Sequence, residues 1–130
     1  MRVFLDTNII VSAFATRGLC ADLFRKILEA HTLVTTEYIL AETQNVLSNR
    51  FHVPEETVSE ILGLLRRQEV VGTPILLLEI AIRDVNDLPV VAAAIEAKAD
   101  YLVTGDKDIL SLNPVAEIKI VTPREFWNVI

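Results

Sequence analysis

The chain has 130 residues, 52% of them hydrophobic, with 18 acidic against 12 basic side chains and a net charge of −6. That length suits one domain, residues 1–130, around one hydrophobic core. The apolar fraction excludes a disordered chain, and a lone cysteine, Cys20, excludes an internal disulfide framework or a cysteine-rich zinc site. The negative balance excludes a domain that holds nucleic acid by bulk positive charge, but not an enzyme whose bound cations supply positive charge locally.

The stretch "MRVFLD" reads as a short buried strand, because Val3, Phe4 and Leu5 are consecutive, as in a parallel strand covered on both faces. "NIIVSAF" reads as a helix, and "CADLFRKILEA" as a second one with Leu23, Phe24, Ile27 and Leu28 on one face. "TLVTT" is a strand. "EYILAETQNVLSNRF" is a helix with Ile39, Leu40, Thr43, Val46 and Leu47 at helical spacing, for which Thr36 is a candidate cap. "PEETVSEILGLLRRQ" opens with Pro54 and two acids, both favoured at a helix start, and carries Val58, Ile61, Leu62 and Leu65 on one side. A strand is expected within residues 70–82, where Gly72 and Pro74 interrupt the apolar run. An alanine-rich helix "LPVVAAAIEAKA", strands "DYLVTG" and "EIKIV", and a closing helix "PREFWNVI" complete the chain. No apolar run approaches the ~20 residues that span a bilayer. "MRVFLD" also lacks the features of a secretory signal, so a soluble cytoplasmic protein without membrane contact is expected.

Strands alternating with helices predict an α/β domain, a three-layer α/β/α arrangement around a mainly parallel sheet. In such sheets ligands bind beyond the carboxyl ends of the strands. Acids stand at three strand-to-helix junctions: Asp6 in "FLDTN", Asp84 and Asp87 in "RDVNDLP", and Asp106 and Asp108 in "VTGDKD". Each alone is as well explained by helix capping, and Pro89 strengthens that reading for Asp87. Glu42 is different. It lies inside a helix, at the border of the apolar stripe, where capping has no role; a solvated helix edge is the bland explanation. If that edge faces the carboxyl end of the sheet, Glu42 joins Asp6, Asp87 and Asp106. Four converging carboxylates repel strongly unless a hard divalent cation such as Mg²⁺ or Mn²⁺ lies between them. Those four acids equal two thirds of the net −6.

In this order the residues resemble the PIN-domain family of metal-dependent ribonucleases over nearly the whole chain. The matching stretches are "FLDTNIIVSA", "EYILAETQNVL", "RDVNDLPVVAAAIEAKADYLVTGDKDIL", "IKIVTP" and "REFW". The chain is most similar to the small single-domain bacterial and archaeal members regarded as toxins of toxin–antitoxin pairs. The resemblance implies that Asp6, Glu42, Asp87 and Asp106 form a catalytic site holding Mg²⁺ or Mn²⁺, with Asp108 an accessory acid and Asn8 and Thr104 ordering the site. Either acid of "RDVNDLP" fits. Asp87 is favoured because it opens the helix and because its spacing to Ala92, Ala93 and Ala94 matches the family pattern, which leaves Asp84 at the edge. Glu37 competes with Glu42.

The implied activity is endonucleolytic hydrolysis of RNA, in which a divalent ion lowers the pKa of its water and acts as a Lewis acid. No histidine base is then required, and His31 and His52 read as surface or loop residues. Arg17, Arg83 and Lys107 are candidate contacts for the RNA backbone, with ordinary solvated surface the commoner explanation. The toxin-like reading implies an antitoxin that inserts an Arg or Lys into the acidic pocket, and a homodimer or higher homo-oligomer. Leu19, Leu64 and Trp127 are candidates for that interface, against core packing as the default. Two rivals remain. A receiver-type phosphoacceptor domain requires an acid pair after the first strand, where this chain has only Asp6. A non-catalytic PIN-like protein-binding domain has no need of the acid set.

Overall fold

The computed structural model describes residues 1–72 and 88–130. Among the described residues five parallel strands form one sheet: β1 (Arg2–Leu5), β2 (Thr32–Thr36), β3 (Glu69–Val71), β4 (Tyr101–Val103) and β5 (Lys119–Val121), in the order β3-β2-β1-β4-β5. β1 is central: Val3 is in register with Leu33 on one side and Tyr101 on the other. Val3, Phe4 and Leu5 are all buried, so the uninterrupted apolar run does mark a strand covered on both faces. The expected α/β fold with a parallel sheet is the observed one.

The chain leaves β1 through α1 (Thr7–Ala15) and α2 (Leu19–Ala30), reaches β2, and continues through α3 (Glu37–Asn45) and α4 (Glu55–Arg66) to β3. It then returns across the sheet to β4 by way of α5 (Leu88–Glu96), and α6 (Lys107–Leu110) leads on to β5. Crossovers between parallel strands are right-handed, so the two directions of travel put α1–α4 on one face and α5 on the other. α1 packs on α2 and α3, α3 on α4, and α5 against β2. The closing helix α7 (Pro123–Trp127) packs on α2. Receiver-type domains run 2-1-3-4-5; the order seen here removes that rival.

Local chemistry sets the element ends. The Thr36 hydroxyl accepts from the Ile39 amide at 3.2 Å and caps α3 as anticipated, and Thr122 and Glu125 form a reciprocal capping box on α7. α4 begins after Pro54, with Glu55 and Glu56 in its first turn. The helix expected to continue to Phe51 departs from plan. α3 ends at Asn45 and a π-helical turn spans Val46–Arg50, where the Asn49 side chain donates to that of Asn45. Asn and Ser side chains compete with regular helical bonding. The wider turn nevertheless keeps Leu47 fully buried.

The strand expected within 70–82 starts one residue earlier, at Glu69, and runs to Val71; residues 73–82 of that interval lie outside the described residues. Leu19, Leu64 and Trp127 are not core residues: the two leucines are half-buried and Trp127 is 40% exposed. Core packing does not account for them. Among the described residues no helix is long and apolar enough to cross a membrane.

Candidate acidic active site

The direction of strand winding reverses at β1 and β4, which leaves a crevice beyond their carboxyl ends, the usual ligand position in open parallel sheets. The next residues are Asp6 on one side and Thr104-Gly105-Asp106 on the other. The two segments are joined. The Asp6 amide donates to the Val103 carbonyl at 3.0 Å, and the Thr104 hydroxyl donates to Asp6 Oδ2 at 2.8 Å. Thr104 is fully buried and its hydroxyl also accepts from the Asp106 amide at 3.0 Å.

Asp6 caps α1: its Oδ1 accepts from the Thr7 amide at 2.8 Å. Asp106 likewise caps α6, accepting from the Asp108 amide at 2.8 Å. Capping and clustering are therefore not alternatives here, because a helix start at the carboxyl end of a strand aims its cap into the crevice. Asp6 is only 9% exposed. Burial raises its carboxyl pKa above the ordinary value; hydrogen bonds from Thr104 and Thr7 oppose the shift, and repulsion from Glu42 and Asp106 adds to it.

Glu42 reaches this centre from α3. The Thr7 hydroxyl donates to Glu42 Oε1, and the Tyr38 hydroxyl, one helical turn earlier, donates to Oε2 at 3.2 Å. A continuous path thus runs from Asp106 through Thr104, Asp6 and Thr7 to Glu42 and Tyr38. Glu37, the competitor to Glu42, is exposed and pairs with Arg66 at 2.7 Å. Asp108 is half-buried in the first turn of α6, and Asn8 is exposed in the first turn of α1. Asp84, Asp87 and Arg83 lie outside the described residues; α5 starts directly after Asp87.

The donor chemistry suits a hard divalent cation, because each carboxylate oxygen already holding one hydrogen bond keeps a further lone pair. Yet among the described residues no three acid, His or Cys side chains are grouped closely enough to hold a metal ion. Asp6, Glu42 and Asp106 are electrostatic neighbours rather than a closed cage. Arg17 and Lys107 are exposed, and His52 is exposed on a turn with φ 52°. His31 lies beside the Met1 amine, at the opposite edge of the sheet.

Thr7 and Tyr38 are the site residues that the sequence reading did not single out. The four-residue spacing of Tyr38 and Glu42 was the available signal for one of them. The Thr7 link joins residues 35 positions apart and had no local signature.

A family model described as PIN domain matches residues 2–108. No curated protein matches the chain. Its structure resembles that of VapBC2 from Rickettsia felis bound to a DNA fragment from their promoter, with a TM-score of 0.63 at 18% identity, over 94% of this chain and 98% of that one. It also resembles Mycobacterium tuberculosis VapC20, a Sarcin-Ricin loop cleaving toxin, with a TM-score of 0.62 at 14% identity, over 90% and 98%. The chain belongs to the PIN domain family of nucleases.

Proposed function

We propose that this protein is a metal-dependent endoribonuclease, and the toxin of a toxin–antitoxin pair, with Asp6, Glu42, Asp87 and Asp106 as the acids that hold Mg²⁺ or Mn²⁺. The observation that carries this reading is the state of Asp6: a buried carboxylate at the crevice of the sheet, oriented by Thr104 and repelled by Glu42 and Asp106. A buried carboxylate facing two others is unfavourable in itself and is relieved by a cation. A divalent ion bound there would supply an ionised water and neutralise charge on the phosphoryl oxygens.

The protein's own groups have separate tasks. Thr104 fixes the rotation of the Asp6 carboxylate and ties the Asp106 backbone to it. Thr7 joins the Asp6 junction to Glu42, so the central acid and the helical acid keep a set spacing. Asp108 and Asn8, in the first turns of α6 and α1, have accessory roles, and so does Asp84.

VapBC2 was captured with promoter DNA, and VapC20 cleaves the Sarcin-Ricin loop. By analogy this chain acts on structured or single-stranded RNA and is silenced by an antitoxin in the cytoplasm. Apolar surface for such a partner exists in a groove of about 310 Å³ lined by Phe14, Phe24, Leu28 and Leu64, with Arg25 and Glu29 at its edge. Homo-oligomerisation through Trp127 belongs to the same proposal. The deciding experiment incubates RNA with the protein in Mn²⁺, in EDTA, and with Asp6→Asn. Cleavage in Mn²⁺ alone, abolished by either change, supports the reading; cleavage that survives both sinks it.

A further inference from the structure

We propose that Tyr38 is a stacking platform for an unpaired nucleobase of the substrate, a role that rests on the nuclease reading and specifies its substrate as single-stranded. Tyr38 is the second residue of α3, just beyond the carboxyl end of β2, on the same edge of the sheet as Asp6 and Asp106. It is 36% exposed. Among the described exposed aromatic side chains, Tyr38, Phe51 and Trp127, it is the one bonded to a carboxylate of the acidic site, through its hydroxyl to Glu42 Oε2 at 3.2 Å.

That bond has a geometric consequence. Thr7 holds the other oxygen of Glu42, so Glu42 is gripped from both sides and the Tyr38 ring is pinned next to the acids by its own phenol. A ring fixed before binding loses little rotational freedom when a base lands on it. A phosphodiester brought to the acids carries its flanking base within reach of the ring.

Charge argues for the same role. Nucleic-acid binding normally draws its affinity from Lys and Arg contacts to phosphate. Here the net charge is −6, and Arg2, Arg25 and Arg66 are paired with Glu69, Asp22 and Glu37. Stacking on an exposed ring adds affinity that every base supports and that needs no basic track. Stacking requires an unpaired base, so duplex is disfavoured.

The test compares wild type, Tyr38→Phe and Tyr38→Leu. Both substitutions remove the hydroxyl, and only the second removes the ring. The probe is a fluorescein-labelled 2′-O-methyl RNA strand, resistant to cleavage, followed by anisotropy in Mn²⁺, alone and as a duplex; Mn²⁺ binding without RNA is measured in parallel. The expected result is that Tyr38→Leu binds the single strand about 5- to 100-fold more weakly than Tyr38→Phe, while duplex binding is weaker and alike in both. Equal single-strand affinities for the two variants, or no single-strand binding by wild type, overturn the proposal. Failure of wild type to bind Mn²⁺ sinks the metal reading instead, and the Phe–Leu comparison still decides the stacking role. If Tyr38→Leu does not fold, as judged by thermal melting, Tyr38→Gln takes its place.

Discussion

The hydroxyl of Thr104 donates to Oδ2 of Asp6 at 2.8 Å, joining residues 98 positions apart across two neighbouring strands. The Thr104 hydroxyl oxygen in turn accepts from the Asp106 amide, so one buried hydroxyl orients one acid by its side chain and another by its backbone. Thr104→Val keeps the shape and removes both bonds. It leaves a half-buried amide and a buried carboxylate each short of a partner, at a cost of about 1–3 kcal/mol. Removing a hydrogen-bonding support of a metal ligand weakens metal binding by about 10- to 100-fold. Denaturant melts and a Mn²⁺ titration check the two effects, and a variant that binds Mn²⁺ like wild type would separate Thr104 from the site.

Asp6 also makes stability depend on pH. Its folded pKa is raised, so the folded protein holds this proton more tightly than the unfolded chain does. The stabilisation is complete below the ordinary Asp value of about 3.9 and is lost as pH rises through the raised folded value. In EDTA, wild type should therefore lose stability relative to Asp6→Asn as pH increases across that window. At neutral pH the metal-free variant should be at least as stable as wild type, though inactive. Urea melts of both proteins from pH 4 to 8 give the comparison; a difference that does not change with pH, or that changes in wild type's favour, contradicts the raised pKa.

Much of the fold was legible because its signals are local. Val3, Phe4 and Leu5 announced a strand buried on both faces, and the Thr36 cap and the Pro54–Glu55–Glu56 start marked helix beginnings. Asp6 and Asp106 were legible as residues at the carboxyl edge because Asp6 directly follows an apolar strand and Asp106 stands just beyond another, after Thr104 and Gly105. The departures have non-local or subtle causes. The π-helical turn after Asn45 conserves the burial of Leu47, so the hydrophobic pattern passes through it unchanged. The Thr7–Glu42 bond depends on how α3 lies against α1, which no sequence period reports. The half-buried Leu64 marks the groove between helices, and hydrophobicity alone could not tell it from a core leucine.

Glu42 and Glu37 share a helix and a chemistry, and their surroundings assign them opposite fates. Glu37 is exposed and paired with Arg66, a contact worth about 0–1 kcal/mol at a surface. Glu37→Gln should leave RNA cleavage unchanged and shift stability by no more than about 0.5 kcal/mol. Glu42→Gln should lower activity by at least tenfold, and it should weaken Mn²⁺ binding because the amide nitrogen cannot ligate a hard cation. Parallel cleavage rates and Mn²⁺ titrations distinguish the two, and equal loss in both variants would point to a general disturbance of α3.

Divalent cations should stabilise the protein itself, and this tests the acid set without any RNA. A ligand that binds only the folded state at 100 times its Kd adds about 2.7 kcal/mol, which for a chain of this size raises Tm by several degrees. Wild type should show that rise in Mn²⁺ and lose it in EDTA. Asp6→Asn, Asp106→Asn and Asp87→Asn should show little or none. Asp84→Asn should keep most of it, because Asp87, directly before α5, is the acid assigned to the ion. If Asp84→Asn abolishes the shift and Asp87→Asn preserves it, the two exchange roles. If all four variants respond like wild type, the ion binds elsewhere and the crowding around Asp6 has another purpose.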